Sequence, residues 1–163
     1  MRWILVIGVA LPLSLAACGS SEDTAAQQTA QKHADIYAIA QIEVKWHKAT
    51  STKDVDLMMS LFAPDATATF GTTNLAGTDE IRDFFVNKVG PFQPENTWVS
   101  DTPAYKIRVT VNGDKGTLYF ECDYIDVKTQ KVVSVVGADN AVERINGKWL
   151  ITNVVGATPV LEP

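Results

Sequence analysis

The side chains able to do chemistry in this 163-residue sequence are few, and their spacing restricts each of them. His33 and His47 are the two histidines, and they lie too far apart along one predicted helix to give local metal-ligand spacing. His47, beside Trp46, reads as a solvated helical histidine that could at most reach a pocket rim. Cys122 falls among Phe120 and Tyr124 in an alternating apolar pattern and reads as a buried, inert thiol. Glu121 and Asp123 occupy the alternate positions, so they face solvent or a partner. Asp139 is the one polar oddity. It follows Val132-Val133-Ser134-Val135-Val136-Gly137-Ala138, where both strand faces begin apolar. Such an acid either reaches water at the strand's end or points into a pocket, where, kept neutral, it could donate to a ligand carbonyl beside the Trp46 indole N–H. No glycine-rich phosphate loop, nucleophile elbow or zinc pattern is present, so neither a metal nor a cofactor is expected.

The first residues set the address. Met1-Arg2-Trp3 carries one positive charge, and Trp3 to Ala17 is apolar apart from Ser14. That run is short of the roughly 20 residues a membrane-spanning helix needs, and its charge and length describe a secretory signal. The ending Leu15-Ala16-Ala17-Cys18 resembles the lipobox of bacterial lipoproteins. The resemblance implies cleavage before Cys18, acylation of Cys18, and anchoring to the bacterial cell membrane or outer membrane; two or more acyl chains hold stably where one does not. Acidic residues outnumber basic ones by 19 to 14, which argues against nucleic acid as a partner. With Cys18 lipidated and Cys122 alone, no intramolecular disulfide is expected.

Residues 1–17 thus read as the signal peptide and 18–31 as the lipidated cysteine and a flexible tether, although the Ala and Gln content of the tether equally suits a backward extension of the next helix. One domain over 32–158 and a short tail, 159–163, complete the chain. Ile36, Ile39, Ile42, Trp46 and Ala49 follow helical steps of three and four. Thr50 to Asp54 break that helix and offer caps, and a short second helix carries Val55, Leu57, Met58, Leu61 and Phe62. Ala66 to Phe70 suit a strand and Gly71 to Gly77 a loop; Thr78 is a plausible N-cap for a third helix burying Ile81, Phe84, Phe85 and Val89 and closed by Gly90-Pro91. From there the period falls to two. Strands are expected over 97–100, 104–111, 117–126, 132–144 and 148–155, with hairpin turns at Asn112-Gly113 and Asn146-Gly147. The fold class is α+β, with three helices toward the N-terminal side packed on an antiparallel sheet.

This order resembles the nuclear-transport-factor-2-like fold, including its SnoaL-like branch. The resemblance is carried by Lys53 to Leu57 with Leu61 to Ala66, by Gly77 to Phe85, and by Val142 to Ile151. It implies a curved sheet and a cone-shaped pocket; a lipocalin-type barrel is the alternative, and the two leading helices count against it. Matching the ketosteroid isomerase branch puts its general-base position at Phe70, its helix tyrosine at Trp46 and its late acid at Ala141, with Asp139 two residues earlier. Phe70 cannot take a proton and Trp46 can only donate, so no catalytic residue is assigned. Trp46, Phe70, Tyr124 and Asp139 are the candidate ligand-binding residues. The leading expectation is a lipid-anchored module that binds a small apolar molecule or a protein. The alternatives are an isomerase- or dehydratase-like enzyme on an apolar ring-bearing substrate, working through Asp139 with Trp46 or Tyr124, and a structural envelope dimer. A homodimer would use the sheet face carrying Tyr119, Glu121, Asp123 and part of Val132 to Val136.

Overall fold

A computed structural model describes residues 21–161. The lipobox and Cys18 lie outside them. Helix α1 spans Ser21–Thr52 and α2 spans Val55–Met59; strands β1, Phe62–Phe70, and β2, Thr73–Ala76, follow, and then α3, Thr78–Lys88. Strands β3, Trp98–Asp101, β4, Arg108–Asn112, β5, Lys115–Asp126, β6, Lys131–Ile145, and β7, Lys148–Leu161, complete the chain. The sheet order is β2-β1-β7-β6-β5-β3, with β4 also pairing β5. All pairs are antiparallel except β1 with β7, which run parallel. Three helices on a curved, unclosed sheet make this an α+β fold, as the residue pattern implies.

Alternation along β5 decides which face is inside. Leu118, Phe120, Cys122 and Tyr124 are buried, while Tyr119, Glu121 and Asp123 form the outer row. Most of that row is paired within the chain: Lys106 lies 2.6 Å from Glu121 and 3.7 Å from Asp123, the Tyr119 hydroxyl donates to Glu121 at 2.9 Å, and Arg108 sits over the Tyr119 ring. Asp123 Oδ1 is buried without a hydrogen bond among the described residues. On β6 the same logic resolves Asp139. It pairs across from Tyr119, so it belongs to the outer face and is exposed, while Ala138 and Asn140 point inward opposite Phe120 and Leu118.

Several local expectations are corrected. Helix α1 already includes Ser21, so residues 21–31 follow the alternative reading, a backward extension of the helix, and are not a flexible coil. Residues 23–34 of the helix are exposed, and Asp35 is its first buried residue. Residues 73–76, expected as loop, pair with β1 as an edge strand whose mostly exposed residues show no alternation. The N-cap of α3 is Gly77, not Thr78, and it offers no side-chain bond. Residues 104–106 form a 3-10 turn, and β7 continues past the expected domain end to Leu161, which pairs with Val135. At the β4–β5 turn the positive φ falls on Gly113 and not on Asn112, whereas Asn146 and Gly147 both adopt it, as a two-residue hairpin loop of this type requires.

Candidate functional site

Aromatic side chains from five elements converge between sheet and helices. Phe85 of α3, 2% exposed, meets Trp46 of α1 and Phe70 of β1 edge-on at 5.5 and 5.6 Å between ring centroids. Phe84 stacks on Phe70 at 4.8 Å. Trp98 of β3 leans on Tyr124 of β5 at 6.3 Å and closes the far side. Its position depends on the residue at 90: a Cβ on Gly90 would lie 2.9 Å from the Trp98 ring, so only glycine lets the ring settle there.

These rings do not fill the space. They enclose a cavity of about 320 Å³, the lower end of the range that small-molecule sites occupy. Its walls are Trp46, Phe70, Phe84, Phe85, Trp98 and Tyr124, and Val136, Ala138 and Ala157 form an aliphatic floor. Polar groups are sparse: the Tyr124 and Ser134 hydroxyls, the Cys122 thiol and Lys88 at the mouth. Among the described residues no carboxylate lines it. Burial pushes the Cys122 thiol up to about 12 and the Tyr124 hydroxyl well above the usual tyrosine range, so both stay protonated. The Trp46 indole N–H is buried and has no hydrogen-bond acceptor.

Of the four candidate binding residues, Trp46, Phe70 and Tyr124 are brought together on this cavity. Asp139 is not among them: it lies on the opposite face of the sheet, because β6 registers it against Tyr119. An acid–base role for Asp139 toward a molecule in the cavity therefore has no geometry to support it. Among the described residues no group of three His, Cys, Asp or Glu side chains is placed to hold a metal ion. No described helix is long and apolar enough to cross a membrane.

Behind the cavity lies a polar cluster that the residue pattern did not suggest. His47 is 8% exposed and Glu43 6%, so the reading of His47 as a solvated residue is overturned. His47 Nδ1 stands 2.6 Å from Ser100 Oγ; Nε2 stands 2.5 Å from Thr102 Oγ1 and 2.9 Å from Glu43 Oε1. The Cys122 thiol, on the next strand, faces the Ser100 and Tyr124 hydroxyls. A signal was present: Asp35, Ile39, Glu43 and His47 fall at successive i, i+4 positions, so three polar residues share the buried stripe of α1.

No functionally curated protein matches the sequence. Solved structures do resemble it. An NTF2-like protein with a cystatin-like fold from Novosphingobium aromaticivorans superposes with a TM-score of 0.69 at 12% identity, covering 88% of this chain and 92% of that one. An NTF2-like protein of unknown function from Pseudomonas putida gives 0.67 at 14% identity over 80% and 98%. A provisionally named dehydratase of the NTF2-like family from Streptomyces avermitilis gives 0.63 at 18% identity over 79% and 98%. At these identities the likeness shows the shared fold. A family model for the SnoaL-like domain matches residues 31–155, a span that runs from within α1 into β7 and contains every residue lining the cavity except Ala157. The chain belongs to the SnoaL-like domain family.

Proposed function

We propose that this domain binds a small, apolar, ring-bearing molecule, and that lipid on Cys18 holds it at a bacterial membrane. The observation that carries the binding reading is the cavity itself: aromatic on its walls, aliphatic on its floor, with two hydroxyls, a thiol and an unpaired indole N–H as the groups that could orient a guest. Flat rings suit such walls, since edge-on and offset contacts with aromatic side chains add roughly 0.5–1.5 kcal/mol each beyond the area buried. The anchoring reading rests on Leu15-Ala16-Ala17-Cys18 alone.

Calorimetric titration with 4-nitrophenol tests the first reading. Saturable one-to-one binding is expected in the parent protein and at least tenfold weaker binding in Ala138→Phe, whose added ring occupies the floor. Failure to bind, or binding indifferent to Ala138→Phe, overturns it. Expression of the full chain in a bacterial host tests the second. The mature protein should carry acyl mass on Cys18 and sediment with membranes, and Cys18→Ser should accumulate as unprocessed precursor. An exported chain with a free Cys18 thiol overturns the anchor.

A further inference from the structure

We propose that the guest of the aromatic cavity is a ring-bearing carboxylate, its flat ring seated among the aromatic walls and its carboxylate paired with the Lys88 ammonium at the mouth. The inference deepens the cavity reading, which leaves the charge of the guest open, and rests on it.

The lining divides into a dry interior and one charged edge. Trp46, Phe85 and Tyr124 are buried, whereas Lys88, which also lines the cavity, is exposed. A flat ring gains by leaving water for such walls, and a carboxylate loses by following it. An ionic group on the guest is therefore held at the wet edge, where Lys88 is the one charged residue of the lining among the described residues. Its place there follows from helical spacing. Lys88 lies one turn after Phe84 on α3, and its side chain leans back toward that turn. Phe84 stacks on Phe70, so the lysine stem borders the same ring pair that forms the cavity wall.

The ammonium is not engaged within the chain. Among the described residues Arg82, Lys106, Lys115 and Arg144 each meet a carboxylate, but no ion pair or hydrogen bond holds Lys88. Its acidic neighbours have other partners. Asp79, Glu80 and Asp83 line an adjoining groove that shares Phe84 and Lys88 with the cavity. The Glu80 carboxylate accepts from the Ala76 N–H at 2.8 Å, and that of Asp83 from the Asn87 amide at 2.6 Å. On the cavity side the described residues supply no carboxylate. The lining is thus positive in a chain whose net charge is −5, and it attracts a carboxylate and repels an ammonium. Lys88 also suits the negative end of α3, whose last turn it occupies. That role alone requires no guest and gives no preference for an anion.

Three compounds with one ring system measure the preference: 2-naphthylacetate, 2-(2-naphthyl)ethanol and 2-(2-naphthyl)ethylamine, each titrated calorimetrically into the full-length protein at neutral pH. An apolar pocket without a paired cation takes the alcohol more tightly than the carboxylate, because the carboxylate gives up more hydration. With Lys88 engaged the order reverses. The carboxylate should bind about fivefold more tightly than the alcohol, the upper end for an ion pair at a rim, and the amine should bind least. The ratio of carboxylate to alcohol affinity is the quantity to follow, since a variant that loosens the cavity weakens both. Lys88→Met keeps the stem without the charge and should bring the ratio below one, whereas Lys88→Arg should keep it above one. Lys88→Glu should favour the amine over the alcohol. Added salt should shrink the ratio in the parent, because the pair lies where ions reach it. A ratio at or below one in the parent overturns the proposal and leaves the cavity reading standing, as does a ratio above one that survives Lys88→Met or Lys88→Glu. If none of the three compounds binds the parent, the cavity reading falls together with this one.

Discussion

Phe85→Ala is expected to destabilise the domain by about 4 kcal/mol, the middle of the range for removing a buried phenyl ring. Phe85 is 2% exposed and stands at the centre of the aromatic set: Trp46, Phe62, Phe70, Phe84 and Phe92 all lie within 5.4–6.4 Å of its ring centroid. Truncation forfeits the burial of the ring and its edge-on contacts together, and the void left merges with the existing cavity instead of collapsing. Thermal unfolding should show a drop of more than about 10 °C in a domain of this size. Phe84→Ala supplies the comparison. Phe84 is half-buried and stacks on Phe70, so its loss should cost less than half as much. A Phe85→Ala variant no less stable than Phe84→Ala would show that the core is not centred on α3.

The contrast between these two phenylalanines marks how far the sequence could be read. Ile81, Phe84, Phe85 and Val89 are legible as the buried face of α3 from their spacing, but which of the two adjacent rings is enclosed depends on Trp46 and Phe92, which come from elsewhere in the chain. The same reason hides the polar residues of α1. Asp35, Glu43 and His47 look like solvent-facing residues because charged groups are buried only when partners compensate them. Those partners, Arg144 and Trp149 for Asp35 and Ser100 and Thr102 for His47, lie 53 or more residues away. Asp139 illustrates the complementary case. Period-two alternation states that neighbours on a strand face opposite ways but not which way is inward; pairing with Tyr119 decides it. Trp46 and Tyr124 were legible as cavity residues because each is an aromatic within an apolar stripe, and the helix and sheet that carry those stripes must pack on one another.

Asp35→Asn should lower stability by about 2 kcal/mol at neutral pH, and the penalty should vanish in acid. The Asp35 side chain is 8% exposed and one of its oxygens, Oδ1, accepts from Arg144 at 2.6 Å, from Gln31 at 2.9 Å and from Trp149 at 3.4 Å. Arg144 is held in turn by Asp114 at 2.9 Å and lies over the Trp149 ring, so the clamp fastens the first docked turn of α1 to the β6–β7 hairpin. Burial works against the Asp35 charge, but the Arg144, Gln31 and Trp149 donors together outweigh it and hold the carboxyl below the usual aspartate range. A depressed folded-state pKa contributes stability that is complete above the unfolded value, about 4, and is lost as pH falls through the folded value. The asparagine side chain keeps the shape and one acceptor but has no charge to titrate. Parent and variant should therefore differ by about 2 kcal/mol from neutrality down to about pH 5 and converge as the pH falls through the depressed folded-state value of Asp35. Glu121, whose carboxyl is lowered by Lys106 and Tyr119, titrates over the same window in both proteins, so the acid limb of the variant should be shallower but not flat. Urea unfolding at each pH measures the difference directly. A penalty that stays constant into acid would mean that the packing of Asp35, and not its charge, holds α1 to the hairpin.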